Sequence, residues 1–254
     1  MRLNTIEYIG AAPKKPKKAN PLGGWLMIVL ALVIGGFIVR PLLPFLTAQQ
    51  DLTTGDNLSE AITDLEEAGD FGSKLAASAL KRTKAKVVYY PTYYKIDFPN
   101  GDIAENKGVC TDVIIRSYRA HDIDLQELVH EDMKWNFRQY PQIWQLQKPD
   151  TNIDHRRVPN LQRFFSRKDG SLPISKKAED YQPGDIVAWR LLDGATHIGM
   201  VVPGPGSRKD ERWIVHNIGS GPKWEDCIFS YEVLGHYRYH GPKKENAVAM
   251  PAAQ

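Results

Sequence analysis

Three residues carry groups that could do chemistry together: Cys110, His197 and His216. Cys110 sits in Gly108-Val109-Cys110-Thr111-Asp112-Val113-Ile114-Ile115, where a glycine closes a polar stretch and an apolar run begins just after the sulfur. That pattern predicts a thiol in the first turn of a buried helix, where unpaired backbone N–H groups and the positive end of the helix dipole stabilise a thiolate. Thr196-His197-Ile198-Gly199-Met200-Val201-Val202 and Trp213-Ile214-Val215-His216-Asn217 read as two short strands, each with one imidazole. A nucleophilic thiol, a histidine that takes its proton and a third polar group that orients that histidine make a hydrolase site. His197 opens its strand and is assigned the base. His216 is the orienting residue and Asn217 the alternate; side chains alternate along a strand, so only one of these two is expected to point inward. A buried cysteine packed as a small apolar residue is the plainer reading of the thiol.

The elements that must position these groups follow from periodicity. Val87–Tyr90 and Tyr93–Asp97 read as strands and Val109–Arg119 as the cysteine helix. Leu125–Asn136 is a second amphipathic helix behind the cap-like Asp124, and Leu161–Phe165 is a short one. Four strands follow: Asp185–Leu191, His197–Val202, Trp213–Asn217 and Gly235–Tyr239. A helical half followed by an antiparallel sheet is the α+β class. Upstream, Thr47–Asp56 reads as a polar linker after Arg40-Pro41 and Pro44. Asn57-Leu58-Ser59-Glu60 reads as a capping box, and a second helix is expected over Ser73–Lys84.

The chain has 254 residues and a net charge of +3, unevenly placed. Its first 21 residues hold five basic groups and one acid, which leaves the remainder near −1. From Asn20 to Val39 no residue is charged, and about twenty apolar residues span a bilayer as a helix. The positive-inside rule then keeps residues 1–19 in the cytoplasm, with 20–40 as a transmembrane anchor or uncleaved signal. A linker and helical extension over 41–86, a catalytic domain over 87–240 and a tail over 241–254 would lie in the periplasm. A nearly neutral exported body lacks the basic face that nucleic acid requires.

The cysteine motif, Pro183-Gly184-Asp185-Ile186-Val187, the His197 strand and Ile214-Val215-His216 together resemble the NlpC-type branch of the papain-like superfamily. Its members cleave peptide or amide bonds in bacterial cell-wall peptides. The resemblance implies an α+β papain-like domain with Cys110 as nucleophile, His197 as base and His216 as orienting residue. The stretches 108–113, 152–160 and 215–219 are similar, more closely, to an uncharacterised bacterial domain family assigned to that superfamily. Peptidoglycan is the implied partner, and the reaction needs no cofactor or metal. The chain departs from the common pattern at Val109 and Thr111-Asp112, which flank the cysteine; a carboxylate facing the sulfur would oppose the thiolate.

Asp154-His155-Arg156-Arg157 is a second dense polar cluster. Wall peptides carry carboxylates that arginine binds in bidentate fashion, so Arg156 and Arg157, with Asp154 and Asn217, are expected at the substrate. An internal Asp–Arg pair pinning the loop is the alternative. Two rival functions stand beside the hydrolase: a wall-binding protein stapled by a Cys110–Cys227 disulfide, and a zinc site drawing on His197, His216, Asp154, His155 and Cys110.

Overall fold

The computed structural model describes residues 43–206 and 210–242, with side chains from residue 55 onward. The expected membrane segment, 20–40, lies outside them, as do most of the 241–254 tail and residues 1–19. Among the described residues no helix is long and apolar enough to cross a membrane. The chain divides into two compact units, 1–53 and 54–254, and the described strands all belong to the second.

Helix α1, Leu43–Ala68, runs unbroken through the stretch expected to be a linker. The reason is local: after Pro44, which the first turn of a helix tolerates, the residue least favourable to a helix is Gly55, at a cost of about 1 kcal/mol. Gly69, at φ +73°, ends it, and the Asp70 carboxylate accepts the Ser73 N–H to start α2, Phe71–Arg82. Strand β1, Val88–Tyr89, pairs in parallel with β2, Lys107–Gly108. The strand expected over Tyr93–Asp97 is absent. Its backbone instead meets the later loop, where Ile96 N–H donates to Asn152 Oδ1 and the Tyr93 hydroxyl to Asp150.

Helix α3, Cys110–Arg119, follows β2 after a single residue, and α4, Leu125–Asn136, is capped by Asp124. The polar excursion tightens into a 3₁₀ turn at Asp154–Arg156 before α5, Val158–Arg167. The remaining strands are β3 Ser171–Leu172, β4 Ile186–Arg190, β5 Thr196–Pro203, β6 Arg212–His216, β7 Lys223–Glu225 and β8 Glu232–Tyr237. They form a six-stranded antiparallel sheet in the order β3-β8-β4-β5-β6-β7. The fold is α+β, as the element order predicts.

Alternation along β4, β5 and β6 divides the core in two. Ile186, Ala188, Ile198, Met200, Val202 and Val215 pack with the helices, against Leu75, Leu80, Cys110, Ile114 and Phe164. Val187, Trp189, Val201 and Ile214 belong to a second cluster with Tyr181 and Ile228. Each such aliphatic side chain contributes about 1.5–3 kcal/mol on full burial, so β5, the central strand beside α3, is held from both faces.

Candidate active site

Cys110 is the first residue of α3, and Val109, in an extended conformation, is its cap. Valine has no side-chain cap acceptor, and the other half of a capping box holds the helix start: the Asp112 carboxylate accepts the Val109 N–H at 2.7 Å. The same carboxylate receives two hydrogen bonds from the Arg156 guanidinium, at 3.0 and 2.9 Å. Asp112 is thus turned to the helix start and to a buried cation.

The sulfur is buried and accepts a hydrogen bond from the Ile198 backbone N–H. That N–H belongs to the peptide joining His197 to Ile198, so the thiol lies against the strand at the residue next to the expected base. Burial, first, and the Asp112 carboxylate push the Cys110 thiol up to about 12, against the lowering pull of the Ile198, Thr111 and Cys110 N–H groups. The expected thiolate at rest is therefore corrected: the helix start is present, but desolvation outweighs it. Half-buried Tyr89 feels the same sulfur; burial and then the charge of a Cys110 thiolate raise its phenol.

His197 and His216 form a buried pair, with His197 Nε2 2.8 Å from His216 Nδ1. Burial, and then His216, hold His197 down to about 3, and burial lowers His216 as well, so both rings are neutral near pH 7. His216 Nε2 in turn lies 2.8 Å from Glu225 Oε2. Register explains this reach: Lys223 is opposite His216 and Glu225 opposite Ile214, so Glu225 is the diagonal neighbour on the His216 face. Cys227 Sγ is 3.7 Å from the same His216 nitrogen. Among the described residues no hydrogen bond joins Cys110 Sγ to an imidazole; the contact between the two halves of the site is the Ile198 peptide.

The structure thus brings His197 and His216 together. Asn217 departs from expectation: β6 ends at His216, the chain turns, and both residues are buried. Asn217 Oδ1 accepts the Gly219 N–H and its amide donates to Gly108 O, which ties β6 to the strand before the cysteine. The expected substrate contacts of Arg156, Arg157 and Asp154 are also corrected. Arg156 and Asp112 side chains are 3% and 4% exposed and spend their charges on each other. Asp154 accepts from Arg157 Nη1 at 2.9 Å and from the Asp150 N–H, and the Arg157 guanidinium lies over the Trp144 ring. The cluster is an internal pin between the excursion and α3.

Cys110 and Cys227 are free thiols, which removes the disulfide on which the wall-binding alternative stood. Among the described residues no three His, Cys, Asp or Glu side chains are gathered to hold a metal ion, and Asp154 and His155 belong to the pin rather than to the imidazole pair. Sequence reasoning missed Glu225 and Tyr89, and it considered Cys227 only as a disulfide partner, not as a neighbour of His216. A three-residue strand such as Lys223–Glu225 carries no periodicity to reveal it.

Comparison with known proteins gives three findings. The chain is 49% identical over 165 residues, 65% of its length and 80% of the relative's, to the uncharacterized protein YijF of Escherichia coli (strain K12). Among solved structures it is similar to NlpC1 from Trichomonas vaginalis at 17% identity, spanning 67% of this chain but only 45% of that one, with a TM-score of 0.36, too low to bear on the fold. Residues 76–239, which contain Cys110, His197, His216 and Glu225, match the family described as a domain of unknown function, DUF1287, and the chain belongs to that family.

Proposed function

We propose that the chain is a cysteine hydrolase of papain-like arrangement that cuts an amide bond in peptidoglycan stem peptides. In this reading residues 20–40 anchor it in the bacterial inner membrane and the Cys110 domain works in the periplasm. The observation that carries it is the 2.8 Å contact between His197 Nε2 and His216 Nδ1, on a strand whose Ile198 N–H holds the Cys110 sulfur at a helix start.

The resting site is a neutral thiol beside neutral imidazoles. Attack transfers the Sγ proton to His197 as the sulfur bonds to the amide carbon, so the thiolate need not exist in advance. The oxyanion would be met by backbone N–H groups at the start of α3. His197 then gives its proton to the leaving amine, and water, deprotonated by the same imidazole, releases the acyl group and restores the thiol.

Purified murein and its soluble stem peptides test this. The intact chain should generate new amine termini, while Cys110→Ala and His197→Ala should each remove nearly all turnover, because members of one catalytic unit are not additive. His216→Ala should lose less, and a chelator should change little. Undiminished cleavage by Cys110→Ala would sink the reading.

A further inference from the structure

Resting on that reading of His197 as the base, we propose that Glu225 is the positioning residue that fixes which nitrogen of each imidazole carries the proton. It would hold His197 as the tautomer whose bare Nδ1 can take the Cys110 proton. Two 2.8 Å contacts link the three groups, His216 Nε2 to Glu225 Oε2 and His197 Nε2 to His216 Nδ1.

An ionised carboxylate only accepts, so His216 Nε2 must bear hydrogen. A neutral imidazole has one N–H, which leaves a lone pair on His216 Nδ1. His197 Nε2 must then supply the hydrogen of the 2.8 Å contact between the rings, and its own Nδ1 is left bare. Without the carboxylate the reverse order is open as well. His216 would donate from Nδ1, His197 would carry its proton on Nδ1, and the nitrogen left for the thiol would be an N–H that cannot accept.

When the Sγ proton moves to His197 Nδ1, the imidazolium keeps its Nε2–H on His216, and His216 keeps its Nε2–H on Glu225. No proton travels further; the carboxylate stabilises the new cation through the intervening ring. Two other groups face this carboxylate and nitrogen. Lys223 Nζ is 3.6 Å from Glu225 Oε1, in an exposed pair. Cys227 Sγ lies 3.7 Å from His216 Nε2 and, as a neutral thiol, brings no charge.

The test uses the full-length chain labelled with ¹⁵N at histidine. Two-bond proton–nitrogen correlation at neutral pH should show His197 and His216 both protonated on Nε2. In Glu225→Ala, His197 should populate the Nδ1–H form, and alkylation of Cys110 by iodoacetamide should slow in proportion to the fraction of His197 that takes that form. Glu225→Asp should restore both readouts in part, and Glu232→Gln, which removes an exposed carboxylate from the same sheet, should leave them unchanged. If Glu225→Ala does not fold, Glu225→Met, which keeps the length of the side chain and removes the acceptor, is judged by the same two measurements. A native His197 protonated on Nδ1, or native tautomers and thiol reactivity persisting without the carboxylate, would overturn the proposal. Neither readout involves murein, so failure to cut wall peptides defeats the assigned substrate and leaves this inference standing on its own.

Discussion

Gly199 leaves the space that His216 occupies: a Cβ built on it would lie 3.1 Å from His216 Cβ and 2.6 Å from Ile214 Cγ2. The glycine follows His197 by two residues and shares its face of β5, so the strand that presents the base also makes room for its partner. Gly199→Ala should push β6 outward, lengthening the 2.8 Å contact between the two rings. The expected cost is about 1–3 kcal/mol of stability, with a larger proportional loss of turnover. Denaturant unfolding and the His216 ring resonances check both. An unchanged ring environment in the folded variant would contradict this packing.

The Arg156–Asp112 pair is buried and bidentate, and Asp112 also caps the cysteine helix. Removing one partner leaves a buried charge alone, at a cost of about 3–5 kcal/mol. Arg156→Met should therefore lower the unfolding midpoint sharply, and Asp112→Asn should do likewise. Their double variant should be less destabilised than the sum of the two. A substrate-binding arginine would instead raise KM with stability unchanged, so a double-mutant cycle by denaturation, run beside the kinetics, separates the two roles.

The elements that repeat a pattern over many residues were legible: α3, α4, β4, β5 and β6 lie within a few residues of where periodicity places them, and the α+β class follows from their order. Cys110, His197 and His216 were legible because each stands at the boundary of such an element. What failed depends on contacts distant in sequence. Tyr93–Asp97 has strand composition, but its backbone meets Asn152 rather than a neighbouring strand. Arg156 has the chemistry of a carboxylate binder, and its carboxylate proves to be Asp112, 44 residues earlier. Glu225 reaches His216 only through the pairing of β6 with β7, which no local signal announces.

Acid should unfold the protein through its histidines. Burial, first, holds His155 down to about 4 and His197 down to about 3, against an ordinary value of 6.5. In the unfolded chain both rings take up a proton as the pH falls through 6.5, while the folded state keeps them neutral until about 4 and about 3. The unfolded state thus binds more protons across that window, so stability is fully present above pH 6.5 and is lost on acidification. The slope approaches about 1.4 kcal/mol per pH unit for each ring. Unfolding midpoints measured from pH 7 to pH 4.5 should fall, and His155→Gln should flatten the slope whatever its effect on absolute stability. A midpoint independent of pH across this range would contradict the buried neutral state.

The two thiols are both pushed up to about 12, and yet they should not behave alike. Cys110 is raised first by burial and then by Asp112, Cys227 first by burial and then by Glu225 and Asp226. Neither is a thiolate near neutral pH, so iodoacetamide should label each slowly at pH 7 and faster as the pH rises, with no plateau in the neutral range that a depressed thiol would give. The difference lies in what can remove the proton. Cys110 sits on the peptide that follows His197, whereas Cys227 sits on His216 Nε2, which the Glu225 carboxylate already engages as a donor. His197→Ala should therefore slow labelling at Cys110 and leave Cys227 unaffected, read by peptide mass mapping at a fixed pH. Equal slowing at both sulfurs would mean that His197 acts through the fold rather than on the thiol, and a Cys110 rate indifferent to His197 would remove the imidazole from the chemistry altogether.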